Sequence, residues 1–301
     1  NMESKNIKFH KAKKSFGQNF LKSNLALNKI IEAGELTSKD VVLEIGPGKG
    51  ALTEKLLENA GVVIAVEKDK DLIEILTEKF QTEIEKGRFI LLNKDILEFD
   101  VEGLYSLYAN GLVEPEATRG PEQKDEYKPN IPYKIIANIP YNITGAILKK
   151  FLTEERQPSL MVLMVQNEVA KRIVANDKKE SILSISVKAY GNPKNIMKVS
   201  KKYFSPSPKV DSAIIAIKNI NKDLFIKENI KEEDFWNIVH SGFAHKRKVL
   251  ISNLKNLKIN KPTSQKSGDF NQIFETLNLD KKVRAEDLEL ADWIKLTKSI
   301  S

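Results

Sequence analysis

The chain has 301 residues, 41% hydrophobic and 30% charged, which is enough for one large domain plus a smaller one, each with its own core. A net charge of +8 favours a polyanionic partner such as nucleic acid or a membrane surface. The absence of cysteine excludes disulfides, thiolate zinc sites and cysteine nucleophiles, and His10, His240 and His245 are too scattered to suggest a metal. With no apolar run long enough to cross a membrane and no secretory leader pattern, a cytoplasmic protein without a membrane partner is expected.

In chain order, Leu25, Leu27, Ile30 and Ile31 recur at helical spacing and predict a helix over 23–34. The apolar run at 41–45 breaks at glycines, as a buried parallel strand does. A helix over 50–59, a strand over 62–66, a helix over 71–86 and a strand over 89–92 follow. Residues 133–137 predict a fourth strand, a helix starts near 144, and 160–165 predict a fifth strand. Short apolar strands alternating with helices predict an α/β, doubly wound sheet. Residues 101–132, with Pro115, Pro121, Pro129 and Pro132 among many charged side chains, read as a long surface insertion. Beyond 219 only helical patterns remain, predicting a small C-terminal helical domain.

The first strand runs into Gly46-Pro47-Gly48-Lys49-Gly50-Ala51. Glycines there permit a tight strand-to-helix turn and close approach of a ligand to the backbone. Glu67 ends the second strand, where a carboxylate can accept both ribose hydroxyls of an adenosine group. The loop by itself does not separate NAD from other adenosine cofactors. Asp95 follows the third strand and suits either an adenine amine or a helix N-cap. Acids around the pocket favour a cationic ligand over a pyrophosphate, which points to S-adenosylmethionine.

The fourth strand ends in Ile136-Ala137-Asn138-Ile139-Pro140-Tyr141. An amide at the carboxyl end of a strand in an open α/β sheet sits where ligands bind. The proline holds Ile139 extended, so the Asn138 side-chain oxygen and the Ile139 carbonyl can accept both hydrogens of an amino group. Tyr141 supplies a flat face for a base. The set fits an aromatic amine such as adenine.

With its surroundings this segment resembles the signature of the ribosomal RNA adenine N6,N6-dimethyltransferase family, whose members have a Rossmann-like methyltransferase sheet. The resemblance extends to "KKSFGQNFL" (13–21), "VLEIGPGKGALT", "VEKD", "NKDIL", "YFSPSPKVDSAI" (203–214), "FAHKRKVLISNL" (243–254) and "VRAEDLEL" (283–290). It implies cofactor contacts at Asn19, Leu21, Gly46, Glu67, Asp95 and Asn138. It implies a catalytic segment of Asn138, Ile139, Pro140 and Tyr141, with Phe204 packing on the other face of the target base. It also implies a methyltransferase domain over 13–218 and an rRNA-binding helical domain over 219–301. Two departures stand out: the insertion at 101–132, and Gly145 where the family commonly has a Ser/Thr-rich helix start.

The resemblance implies an enzyme that dimethylates two adjacent adenosines near the 3′ end of small-subunit (16S) rRNA during ribosome biogenesis. Its partner would be that rRNA or a 30S subunit precursor, and a monomer is expected. A large-subunit rRNA adenine methyltransferase of the macrolide-resistance type, a non-catalytic ribosome-assembly factor and an NAD-dependent dehydrogenase are the alternatives. Basic clusters at 8–14, 171–172 and 201–202, together with Lys246, Arg247 and Lys248 on an expected helix, are candidates for gripping RNA phosphates, although most lysine runs are solvated faces.

Overall fold

The computed structural model describes residues 12–13, 16–104, 132–175, 177–255, 257 and 270–301. Most of the expected insertion (105–131), and all of the 8–14 cluster except residues 12–13, lie outside the described residues. Contacts divide the chain into two compact units: residues up to Asn167 with Lys194–Lys218, and Glu168–Pro193 with Asn219–Ser301.

The strands of the first unit are β1 (Phe20–Leu21), β2 (Val41–Ile45), β3 (Val62–Glu67), β4 (Phe89–Asn93), β5 (Tyr133–Asn138), β6 (Leu160–Gln166), β7 (Asn192–Val199), β8 (Phe204–Ser205) and β9 (Ser212–Lys218). β1 and β8 form a small antiparallel pair, and the other seven make one sheet in the order β4-β3-β2-β5-β6-β9-β7. From β4 to β6 the strands run parallel, and β9 lies antiparallel to β6. β2 is buried at every position, and β6 and β9 at all but one, as strands covered on both faces must be. The helix Asn24–Gly34 starts where Ser23 accepts from the Ala26 amide, satisfying one of the four amide donors left free at a helix start. Among the described residues, no helix is long and apolar enough to cross a membrane.

The five sequence-predicted strands are present within one residue of their expected ends, and two further sheet strands accompany them. β7 opens with Asn-Pro and is half-exposed at the sheet edge, and a proline in such a run masks the strand pattern. β9, Ser-Ala-Ile-Ile-Ala-Ile-Lys, follows directly on a proline-rich turn. The helix expected over 71–86 is broken into Lys70–Lys79 and Gln81–Glu85 at Phe80. The Phe80 ring turns inward, meets Phe89 edge-on at 5.3 Å, and lies so close to Gly50 that a Cβ there would stand 2.5 Å from it. Gly50 also has φ +77°, so this turn needs glycine for both space and conformation.

The second unit is helical, with helices at Glu232–Gly242, Leu250–Leu254, Phe270–Thr276 and Leu290–Ile300. Phe235, Leu250, Phe274 and Trp293 are fully buried in it. It also takes in residues 168–193, whereas the sequence places the division after 218. The tie is chemical. The Tyr190 hydroxyl donates to Glu232 and accepts from Trp236 Nε1 at 3.0 Å, and the Glu180 amide donates to the Glu286 carbonyl at 2.8 Å.

Candidate active site

In the first unit β2 lies between β3 and β5, so the chain builds outward to β4 on one side and then crosses to the other. That reversal is a topological switch point, where open α/β sheets bind ligands beyond their carboxyl ends. A cavity of about 410 Å³ opens there. Segments following four neighbouring strands line it: the loop after β2, the end of β3, residues 94–97 after β4, and residues 138–143 at the end of β5. Residues 16–22 and Ser205 complete the wall.

Gly46 sits at φ +65°, and a Cβ built there meets nothing within 4 Å. The loop thus leaves open space where a ligand can lie against its backbone. Glu67, 7% exposed, accepts from the Asp69 amide at 2.9 Å and the Gly48 amide at 3.3 Å. One oxygen takes each donor, leaving further lone pairs for hydroxyls. Burial raises the Glu67 pKa, and hydrogen bonds from the backbone of Asp69, Gly48 and Lys68 oppose that rise.

Asp95 does two jobs at once. Its carboxylate caps the short turn at Ile96–Glu98 by accepting from the Leu97 amide at 3.0 Å, and it pairs with Lys68 at 2.7 Å. The hydrogen bond from Lys68 holds its pKa down. Lys68 screens part of the Asp95 charge, and the carboxylate stays ionised. Its accepting oxygens remain at the cavity wall.

Asn138 is oriented by the segment across the cavity. Its Nδ2 donates to the Asn19 carbonyl at 3.1 Å, while Asn19 Nδ2 donates to the Gly17 carbonyl at 3.1 Å. With one Nδ2 hydrogen committed there, the amide is held in one orientation and its oxygen is available as an acceptor. The Ile139 side chain is buried, and the Pro140 carbonyl accepts from the Ile143 amide at 3.2 Å, starting the next turn. The Tyr141 hydroxyl is 2.6 Å from Ser212 Oγ, and burial raises its pKa. Leu21 lines the cavity edge with its side chain largely in the core.

Residues 16–22 are held by a buried carboxylate. Asp69 accepts from Lys13 Nζ at 2.6 Å and from Gln18 Nε2 at 2.7 Å, and its own amide donates to Glu67. The N-terminal segment is therefore anchored two residues from the proposed ribose acceptor.

The structure does not bring every predicted residue to this site. Phe204 is 4% exposed, packs in the hydrophobic core, and does not line the cavity. Pairing of Leu21 with Phe204 across β1 and β8 holds it inward. Lys246, Arg247 and Lys248 belong to the second unit and are exposed. They lie in a turn after the helix Glu232–Gly242, not on a helix as expected. Asn253 Nδ2 donates to the carbonyls of Gly242 and His245 at 2.6 and 3.2 Å, tying down that turn so that the helical pattern in sequence is interrupted there.

Three site residues are not evident from sequence. Gln18 and Ser212 lie within the segments that carry the resemblance, but their roles depend on long-range partners and are not written in the local pattern. Glu44 does carry one, a charge inside an apolar strand. Its carboxyl is 1% exposed, lines the cavity and accepts from the Thr53 hydroxyl at 2.7 Å. Burial pushes its pKa from 4.5 up to about 8, with Thr53 opposing and nearby Glu67 adding to the rise. The folded state thus holds this proton more tightly than the unfolded chain. Stability should fall as pH rises from about 4.5 through about 8. Glu44→Gln, neutral at every pH, is expected to flatten that decline in melting temperature. An equal decline in variant and wild type would remove Glu44 as its source.

A family model described as ribosomal RNA adenine dimethylase matches residues 9–300. The ribosomal RNA small subunit methyltransferase A of Dehalococcoides mccartyi strain CBDB1 is 41% identical over 292 residues, covering 95% of this chain and 87% of that protein. The protein of the same name from Clostridium botulinum strain Kyoto is 37% identical over 293 residues, covering 96% and 94%. Among solved structures, a dimethyladenosine transferase from Plasmodium falciparum aligns with TM-score 0.69 and 26% identity over 92% of this chain and 95% of that one. The 23S rRNA methyltransferase ErmE aligns with TM-score 0.67 and 22% identity over 94% and 99%, a likeness of fold. A match that runs through both compact units and every segment lining the cavity reaches well beyond a shared sheet, and the chain belongs to the ribosomal RNA adenine dimethylase family.

Proposed function

We propose that the protein transfers methyl groups from S-adenosylmethionine to the exocyclic amines of two adjacent adenosines near the 3′ end of small-subunit (16S) rRNA, giving N6,N6-dimethyladenosines during ribosome biogenesis. The observation that carries this reading is the meeting of the Gly46 loop and Glu67 with Asn138–Tyr141 in one cavity at the switch point. The names of the relatives support the small-subunit target over the large-subunit one.

The residues present fit the cofactor: open space at Gly46, free lone pairs on Glu67 and an accepting carboxylate at Asp95. Glu67 would take the ribose hydroxyls, Asp95 the adenine amine, and Asn19, Leu21 and Gly46 the cavity edge. When bound, S-adenosylmethionine supplies a methyl group on a cationic sulfonium, open to in-line attack by the amine nitrogen.

The protein's part is positioning. In the first transfer the Asn138 oxygen and the Ile139 carbonyl accept the two amine hydrogens, and in the second one of them accepts the hydrogen that remains. This draws electron density back onto a nitrogen whose lone pair is delocalised into the ring, and each transfer gives up one amine proton. Such acceptors act where positive charge develops on nitrogen. Tyr141, fixed through Ser212, offers the stacking face. Pro140 keeps Ile139 extended. Base stacking is assigned to Tyr141 alone, because Phe204 is held in the core.

The second unit would hold rRNA through Lys246, Arg247 and Lys248, with the protein acting as a monomer on a 30S precursor in the cytoplasm. Reversing all three charges should weaken subunit binding and lower the slope of log affinity against log salt by about 0.7–0.9 per lost phosphate contact. Cofactor affinity should not change. A titration series across salt concentrations checks this, and an unaltered slope would remove these residues from the interface. The function itself is tested by incubating the protein with labelled S-adenosylmethionine and undermethylated small or large subunits, then mapping the modified base. Label confined to large subunits, or none, overturns the reading.

A further inference from the structure

The connection from Ser200 to Ser212 is fastened to the cavity at both ends. Ser205 lines the cavity wall and pairs with Phe20, and the Tyr203 carbonyl accepts from the Lys22 amide at 2.8 Å. At the far end, Ser212 Oγ holds the Tyr141 hydroxyl, and the Asp211 carbonyl accepts from the Asn167 amide at 3.0 Å. The loop is also stitched internally. The Lys201 amide donates to Asp211 at 3.0 Å, and Ser207 Oγ to the Lys201 carbonyl at 3.0 Å. It forms a lip, tied down at both ends, beside the cavity wall.

Its outer surface has a distinct composition. Tyr203 is 40% exposed and Val210 45% exposed, beside exposed Lys198, Lys201, Lys202 and Lys209. The one acid of the loop, Asp211, is already engaged by Lys198 at 2.9 Å and by the Lys201 amide. The lip therefore carries a net positive charge with no unpaired carboxylate of its own to oppose it. Lys202 Nζ lies 5.2 Å from the centroid of the Tyr203 ring, covering part of one side of an otherwise exposed aromatic. An exposed ring beside cations is the arrangement that binds single-stranded nucleic acid, with a base on the ring and phosphates on the charges. The bland alternative is a solvated lysine face with a rim tyrosine. Against it stands the fastening, which sets the ring and the lysines on a segment whose Ser205 is part of the cavity wall.

Resting on the proposed RNA substrate, we propose that the 200–211 lip is a platform for the RNA strand flanking the target adenosine. Tyr203 stacks a neighbouring base, and Lys201, Lys202 and Lys209 hold the adjoining phosphates. Tyr203 lies two residues from the cavity wall at Ser205, about 7 Å along an extended chain, so the stacked base is a near neighbour of the target. The site would accordingly select an unpaired strand over a closed duplex.

The test uses the full chain and an RNA hairpin whose loop carries two adjacent adenosines. Tyr203→Ala is expected to weaken hairpin binding by about tenfold or more, Tyr203→Trp to restore it, and Tyr203→Leu not to. Lys201→Glu, Lys202→Glu and Lys209→Glu together should lower the salt slope by about 0.7 per single-strand phosphate lost. S-adenosylmethionine affinity and melting temperature should match wild type in every variant. Unchanged hairpin affinity in Tyr203→Ala together with an unchanged salt slope in the triple variant overturns the platform. So does restoration by Tyr203→Leu, which would mean apolar packing without a stacked base. Because the readout is RNA binding, the two proposals fail separately. A wild-type protein that binds the hairpin but methylates no undermethylated small subunit would sink the proposed function, while the variants would still decide the platform.

Discussion

Replacing Asn138 by alanine is expected to remove most methyl transfer, on the order of a hundredfold or more, as losing one preorganised polar group at a reacting centre does. RNA affinity should stay near wild type, since that affinity comes mainly from phosphate contacts. The structure gives a reason for the size of the effect. Asn138 is half-buried at the end of β5, and the Asn19 carbonyl takes its nitrogen, so the oxygen is presented to the cavity without rotameric search. Alanine removes both the acceptor and the tie to the N-terminal segment. Single-turnover rates with saturating cofactor separate the two losses, because only the acceptor role survives saturation as a slower step. Near-normal turnover in that variant would sink the amine-holding role.

Glu67→Ala is expected to weaken S-adenosylmethionine binding at least tenfold, since hydrogen bonds to a charged group contribute about 1.5–3 kcal/mol each. The variant also leaves the Gly48 and Asp69 amides without their acceptor, so Glu67→Gln, which keeps one accepting oxygen, is the milder comparison and should fall between. A pH effect accompanies it. Burial raises the Glu67 pKa, and ribose hydroxyls donate to the carboxylate. Wild-type affinity should therefore decline, as pH falls, at a higher pH than an ordinary glutamate would impose. Calorimetry across pH checks this. Unchanged affinity in Glu67→Ala would overturn the ribose assignment.

What is legible in the chain without its structure follows physical range. The glycine loop, the acid closing β3 and the Asn138–Tyr141 segment are local patterns, each tied to the carboxyl end of a strand that its own apolar run announces. Where long-range contacts decide, local pattern misleads. Phe80 breaks a helix because its ring is wanted against Phe89 and Gly50. Phe204 turns inward because Leu21, far off in sequence, pairs with it. Residues 168–193 join the second unit through Tyr190 and Glu180, whose partners lie beyond residue 230.

The sequence by itself determined the parallel core strands, the kinds of ligand group each strand end can offer, and the family. Hydrophobic period and backbone chemistry act over a few residues, so they are written locally. Only the tertiary structure decided which atoms are free to act. Asn138 offers its oxygen because the Asn19 carbonyl orients the amide, Asp95 is held ionised because Lys68 reaches it, and Glu44 keeps its proton to a higher pH because the sheet buries it. Each of these depends on a partner or on a degree of burial that exists only once distant segments have packed together.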